Sequence, residues 1–389
     1  MPSKSKLLDN LKMCMRDFRP GKAAFPNHSS VYDLATIPFE TPELPLPFMV
    51  FLTLVSLLDF DYYGKDEKLA WSIPLLYQGT PFMISHQKFG LQVAAIAADS
   101  HATNSAKQMM KQLNKGIRIA DKLLTPILAE RIGLGEVSVV NKHYIMHDAY
   151  MHFRELAEEA FQNSVALPQP GPQDFHKVVD RINASVEWER RGFHYAHAML
   201  DAFYSWLEHV LVLLLPFCDF DRTTETLEDL MRSDWTTKYN RILKPDTDRD
   251  AKRAYNQLQK IKEKYRNPLT HGYFDKSGAS LYVHTPVVGA IPISLSEYKN
   301  SIYYSSFFPI AKDTYSHICA VFDEVEYLLR ATKFARPFKI IDAGLDVRFD
   351  DDGLREYKSA ISSDKDTEAF IQAMSRLADA YANMDWFMA

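Results

Sequence analysis

The stretch FHYAHAMLDAFYSWLEHVLVLLLPF, residues 193–217, decides the fold. From Met199 to Leu215 it is apolar almost throughout, and no glycine or proline interrupts it before Pro216. A run this long exceeds a strand of about 4–8 residues and reads as helix. One row of polar residues breaks the apolar surface. His194, His197, Asp201, Ser205 and Glu208 recur at intervals of 3, 4, 4 and 3, a single stripe along the cylinder. Two readings of the stripe stand: it lines a cleft, with Glu208 or Asp201 orienting a functional group, or it faces solvent.

Working outward, the helical pattern runs back to Phe175, and residues 175–217 are predicted as one bent helix or two. Just before it, LPQPGPQD at 167–174 holds three prolines and a glycine, the composition of a linker. This sets a boundary between an N-terminal α+β domain over 1–170 and a helical domain over 175–333, with 334–389 as a C-terminal extension. In the N-terminal half, residues 1–50 are punctuated by prolines, six of them between Pro20 and Pro47, and read as arm and loop. Residues 71–93 form a hairpin around Gly79-Thr80-Pro81, and 94–131 and 140–165 read as helical. In the second half a helix from about Asp248 to Tyr265 places Ala254, Leu258, Ile261 and Tyr265 on one face. Short strands turning at Asp275–Gly278 follow. A further helix over 311–333 buries Tyr315, Ile318, Phe322, Val325 and Leu329; a strand over 338–349 and one or two helices ending near Trp386 complete the chain. The predicted class is mainly α.

Composition narrows the functional classes. A formal charge of −5 over 389 residues argues against a protein that wraps nucleic acid over its whole surface and leaves a local basic patch open. Cys14, Cys218 and Cys319 are far apart and form no CxxC, which fits reduced thiols and a cytoplasmic location. The basic N-terminus lacks the apolar core of a secretory signal, and neither 44–58 nor 207–217 supplies the ~20 apolar residues of a spanning helix, so a soluble chain with no membrane partner is expected. No GxxxxGK[ST], GxGxxG or GxSxG occurs, and no cofactor is expected.

The segment EKYRNPLTHGYF, 263–274, puts chemistry at a helix end. Pro268 has no N–H for the helical ladder and disfavours the α region at Asn267, so the chain is expected to kink between Arg266 and His271. The kink would let a guanidinium and an imidazole five residues apart meet in one cleft. His271 titrates near neutrality and suits general acid–base work on a 2′-OH or a 5′-oxygen. Arg266 stays charged and suits the anionic phosphorane. Asn267 suits positioning of a phosphate oxygen. Together they describe RNA cleavage without metal.

These residues resemble the HEPN superfamily, whose signature is Arg-x(4–6)-His, often with Asn directly after the Arg; Arg266, Asn267 and His271 match it, with Gly272 following. The resemblance covers about 176–333. It implies a helical bundle, here with a small β-hairpin insertion, and homodimers that pair two motifs into one ribonuclease site acting on RNA. It also implies a role in antiviral defence or a toxin system and products ending in 2′,3′-cyclic phosphate. Tyr273 fits the longer form of the motif in which an antitoxin partner modifies the tyrosine. The resemblance equally allows a non-catalytic RNA- or protein-binding module.

Two other clusters compete for attention. Ten Lys and Arg residues crowd 238–266, and Arg253, Lys260 and Lys264 are the candidates for holding RNA phosphates, against the alternative of solvated helix charge. His143 and His147 at i and i+4, with Asp148 and His152 nearby, suggest a rival metal hydrolase, although no HExxH supports it.

Overall fold

The computed structural model describes residues 4–25, 34–40, 43–167, 175–267, 279–286, 289–294 and 309–384. It is mainly helical, with 66% helix and 12% strand. The chain divides into two units, one of Met1–Leu134 with Gln372–Ala389 and a larger one of Gly135–Ile371.

The N-terminal unit begins with helix α1 (Lys4–Cys14) where the proline count predicts an arm. No proline falls between Pro2 and Pro20, and Leu7, Leu11 and Met15 recur at a helical interval, with Leu11 and Met15 buried. Strands β1 (Phe18–Pro20), β2 (Ala35–Ile37), β3 (Leu69–Tyr77), β4 (Thr80–Gln87) and β5 (Gly90–Ala95) form an antiparallel sheet in the order β1-β3-β4-β5-β2. The predicted single hairpin is thus a three-strand meander. Its first turn falls on Gln78-Gly79, both at positive φ, the two-residue geometry that matches strand twist. Helix α2 (Pro47–Phe51) widens into a π turn over Leu52–Leu57. Helix α3 (Ser100–Gly133), capped by Asp99 accepting from the Ala102 N–H at 2.7 Å, buries Ala106, Met109, Leu113 and Ala120 in the core with Ile73, Phe82 and Ile84. At Gly116 a Cβ would stand 2.5 Å from Met15 Sδ, so a larger residue there would make the Met15 side chain shift.

The larger unit is organised around α5. Helix α4 (His143–Val165) lies along α5 (Phe175–Leu214), and Phe161 fits against Gly192, where a Cβ would meet the ring at 2.7 Å. The expected boundary at 167–174 therefore gives way to one at Leu134/Gly135, because α4 packs against the apolar length of α5 and belongs to its core. Then come α6 (Leu227–Arg232), α7 (Trp235–Leu243), α8 (Arg249–Ile261) and α9 (Lys312–Ala331). In α9 all five predicted core residues are buried. Helix α10 (Ala335–Asp342) replaces the first part of the predicted strand: Phe338 and Ile341 reach the core at helical spacing, and packing overrides the β preference of Phe-Lys-Ile-Ile. Strands β6 (Ser138–Val139) and β9 (Val347–Arg348) pair, as do β7 (Ala279–Thr285) and β8 (Gly289–Ser294), joined between Thr285 and Gly289. The Asp275–Gly278 turn lies outside the described residues. Helices α11 (Asp351–Ala360) and α12 (Asp364–Asn383) follow, the division between units passing within α12.

Contrary to the sequence reading, one segment, His176–Phe217, contains a window long and apolar enough to cross a membrane, with mean hydropathy 1.5. In the structure 67% of that window is buried inside the unit, which is the pattern of a core helix. Ala196, Met199, Leu200, Phe203, Tyr204, Trp206, Leu207, Val210 and Leu211 form its broad buried face. Phe203 stacks on Phe322 with ring centroids 3.5 Å apart.

A polar network crosses this core. Trp206 donates its indole N–H to His143 Nδ1 at 3.0 Å, which places the imidazole proton on Nε2, 3.0 Å from Asp342 Oδ1. The other Asp342 oxygen accepts from Arg330 at 2.5 Å. Burial opposes the Asp342 carboxylate, yet hydrogen bonds from His143 and Arg330 hold it below its ordinary range.

Phe203→Ala is expected to destabilise the larger unit by about 3–5 kcal/mol, read as a lower urea midpoint by tryptophan fluorescence. Because the Asp342 value is depressed on folding, its contribution is complete above the ordinary carboxylate range and is lost as pH falls through the folded value. The Tm gap between wild type and Asp342→Asn should therefore be widest at neutral pH and close in acid; a gap that widens in acid would overturn the assignment.

Candidate active site at the end of helix α8

Helix α8 starts at a firm cap: Asp248 accepts from the N–H groups of Asp250 and Ala251, both at 3.0 Å. Ala251, Ala254, Leu258 and Ile261 bury one face. Past Ile261 the helix widens into a π turn over Lys262–Arg266, a distortion frequent at functional sites. Asn267 keeps right-handed helical angles (φ −60°, ψ −43°), and its N–H bonds the Lys262 carbonyl. The expected departure from helix at this pre-proline residue does not occur, because that hydrogen bond of the wide turn is retained through it. His271, Gly272 and Tyr273 lie outside the described residues.

The widened turn aims Arg266 at α5. Its Nε lies 2.7 Å from Asp201 Oδ1, and its guanidinium sits over the Tyr204 ring, 5.3 Å from the centroid. That arrangement combines a charge-assisted hydrogen bond with a cation–π contact. Tyr204 is itself fixed, donating its hydroxyl to the Leu258 carbonyl of α8 at 2.5 Å. Burial pushes the phenol far above its ordinary value, so it stays protonated and donates. The second Asp201 oxygen is 3.7 Å from His197 Nδ1. His197 is buried, and among the described residues its Nε2 has no side-chain hydrogen-bond partner, with the Arg266 backbone beside it. Burial lowers its pKa against the pull of Asp201, so it favours the neutral ring.

The two carboxylates proposed as orienters part company. Asp201 reaches Arg266, whereas Glu208 is 2.8 Å from the Nζ of buried Lys238 on α7. A buried ammonium without a counter-charge is costly, and this pair supplies one. Among the described residues Glu208 thus ties α5 to α7. Of the stripe, His194 and Ser205 are exposed, so it is partly a solvent face and partly a set of interhelix contacts. Tyr204, one residue from the stripe, escapes the sequence reading because its spacing marks it as core; only the contact with Arg266 gives it a second role.

The basic segment is largely neutralised. Arg253, a candidate for RNA phosphates, pairs with Glu324 at 2.5 Å and Asp250 at 3.1 Å. Arg241 pairs with Glu225 at 2.5 Å, and Lys252 with Asp246 at 2.9 Å. Lys262 stands over the Trp235 ring, with its pKa lowered by burial and then by Arg266. Lys260 and Lys264 are exposed and have no carboxylate partner among the described residues, so those two candidates remain available to an anion.

The rival metal site does not form among the described residues. Both His143 nitrogens are engaged, His147 faces Glu326 at 3.2 Å, and no three His, Cys, Asp or Glu side chains are grouped to hold an ion. Burial pushes the Cys218 thiol up to about 11 and raises Cys319, which disfavours either as a thiolate nucleophile.

Comparison with protein-family models, with curated proteins and with solved structures gave no match.

Glu208→Gln is expected to destabilise the larger unit by about 1–3 kcal/mol, since it strands the Lys238 ammonium. The double change Glu208→Leu with Lys238→Leu should cost less than the single one in the same urea titration; a larger cost for the double change would show that a stranded charge is not the source of the penalty.

Proposed function

We propose that this protein is a metal-independent endoribonuclease of HEPN type, with Arg266 and His271 as the reacting pair. The observation that carries the reading is the Arg266–Asp201–Tyr204 arrangement: the cation at the start of the motif is held by α5 in a defined orientation, 2.7 Å from Asp201. Pre-aimed charge of this kind stabilises a transition state without reorganising first. In the proposed reaction the 2′-oxygen of RNA attacks the adjacent phosphorus and loses its proton to a base. The 5′-oxygen leaves and takes up a proton, and a 2′,3′-cyclic phosphate results. His271 serves as acid or base, Arg266 stabilises the phosphorane, Asn267 positions a phosphate oxygen, and Asp201 positions Arg266. A second copy of the chain would supply the second motif of a composite site, and Tyr273 would be the residue for a regulatory partner to modify. A cytoplasmic defence or toxin role follows from the same resemblance.

A second reading has its own observation. Arg266 is already paired with a carboxylate and stacked on a ring within the unit, which equally suits a helix terminator in a non-catalytic RNA- or protein-binding module.

Incubation of the full chain with RNA in EDTA separates the two. The nuclease predicts cleavage with cyclic-phosphate ends, no cleavage of the 2′-deoxy analogue, and a loss of about 10²–10³-fold or more in Arg266→Ala and His271→Ala. Asp201→Asn should lower the rate while leaving RNA affinity unchanged. Intact RNA with a folded wild-type protein, together with a lowered Tm in Arg266→Ala, would favour the binding module.

A further inference from the structure

The N-terminal unit carries a charge pattern that the larger unit lacks. On α3, Lys107, Lys111, Lys115, Arg118 and Lys122 follow one another at intervals of 4, 4, 3 and 4, one face of the helix. All five are exposed. From Ser100 to Leu124 the only acidic residue is Asp121, and none of the five has a carboxylate partner among the described residues. Like charges at this spacing destabilise a helix. Surface helices usually relieve the repulsion with interleaved acids, as α8 does through Asp250 and Glu324. In α3 no such relief is built in.

Beside the stripe lies a groove of about 880 Å³ between α1 and α3, lined among others by Arg16, Lys111, Lys115 and Lys122. Its wall is internally satisfied. Tyr77 donates to Gln112 Oε1 at 2.9 Å, and Gln112 Nε2 reaches the Cys14 carbonyl at 2.6 Å and Asp17 at 2.9 Å. Asp17 lies 4.0 Å from Arg16 and offsets it, which leaves Lys111, Lys115 and Lys122 to make the groove's outward charge positive. Residues four apart on a helix are about 6 Å apart along its axis, so the stripe extends for roughly 22 Å. A row of point charges over that length suits several successive phosphates of one strand, and single-strand grooves are built this way.

We infer that the α3 stripe and its groove hold a single nucleic-acid strand by its phosphates. The inference deepens the ribonuclease reading and rests on it for the choice of RNA as the strand. Tyr77, the one aromatic side chain in the groove wall, is buried beneath Gln112 and offers no face for a base. Binding is therefore independent of sequence and of the 2′-hydroxyl, and it is sensitive to salt.

The test uses the full chain and fluorescein-labelled strands of about 20 nucleotides, one DNA and one RNA, the latter with His271→Ala to keep it whole. Anisotropy is read across a salt series. Similar affinity for both strands is expected. Lys111→Gln/Lys115→Gln/Lys122→Gln should weaken binding at least tenfold at low salt and flatten the log–log salt slope by about 2, at roughly 0.7 for each phosphate that is no longer neutralised. Charge reversal with Lys→Glu at the same exposed positions should weaken it further, with an unchanged circular dichroism spectrum. The inference is overturned if the triple variant binds like wild type, if Lys260→Gln/Lys264→Gln alone removes the binding, or if wild type binds anionic phosphatidylserine vesicles and no strand. Binding that survives without any cleavage in EDTA sinks only the ribonuclease reading; cleavage with an unaffected triple variant sinks only this one.

Discussion

A helix whose last turns, Val210–Leu214, are buried all round must be wrapped there on every side, and α5 imposes that requirement on the larger unit. The other helices are its answer. Helix α4 covers one flank through Tyr150, Ala157 and Phe161, α9 brings Phe322 onto Phe203, and α7 and α8 cover the rest with Tyr239, Leu258 and Ile261. Each polar group left on α5 then needs a partner from whichever helix covers it. Trp206 finds His143, His209 accepts the Lys142 N–H at 3.0 Å, Glu208 finds Lys238, and Asp201 finds Arg266. The candidate site is one member of this series. It differs from the others in sitting on a π turn, beside the buried imidazole of His197.

How much of this can be read from the chain depends on the range of the interaction involved. Periodicity is local, so the α8 and α9 faces and their core residues are legible residue by residue. The helix at the N-terminus is hidden because prolines further along dominate the pattern, and α10 is hidden because Phe338–Ile341 is apolar enough to suit strand or helix until its neighbours choose. The unit boundary is misplaced for a similar reason: a proline-rich stretch marks a place where the chain can turn, and it does not say whether the helices on either side share a core.

Charge is the least legible property. A run of cations in sequence looks like a binding surface, yet the acids that neutralise Arg241, Arg253 and Lys238 come from Glu225, Glu324 and Glu208, far from them in the chain. A count of charges along a segment cannot register partners supplied from elsewhere. In α3 the cations are fewer and less conspicuous, but the one acid lining the groove beside them, Asp17, faces Arg16. Exposure after folding, and not abundance before it, decides which cations a phosphate can meet.

The π turn at Lys262–Arg266 is the accommodation of one residue more than a regular helix would hold over the same rise. A regular helix that gained this residue without widening would turn every later position by about 100°, the step of one residue in 3.6 per turn. The wide turn takes up the extra residue locally, and Arg266 at its end faces Asp201 and Tyr204 of α5. The buried face that precedes it, from Ala251 to Ile261, keeps its own spacing. One residue of slack is thus absorbed in the backbone, and the core and the contact with α5 are held in register together.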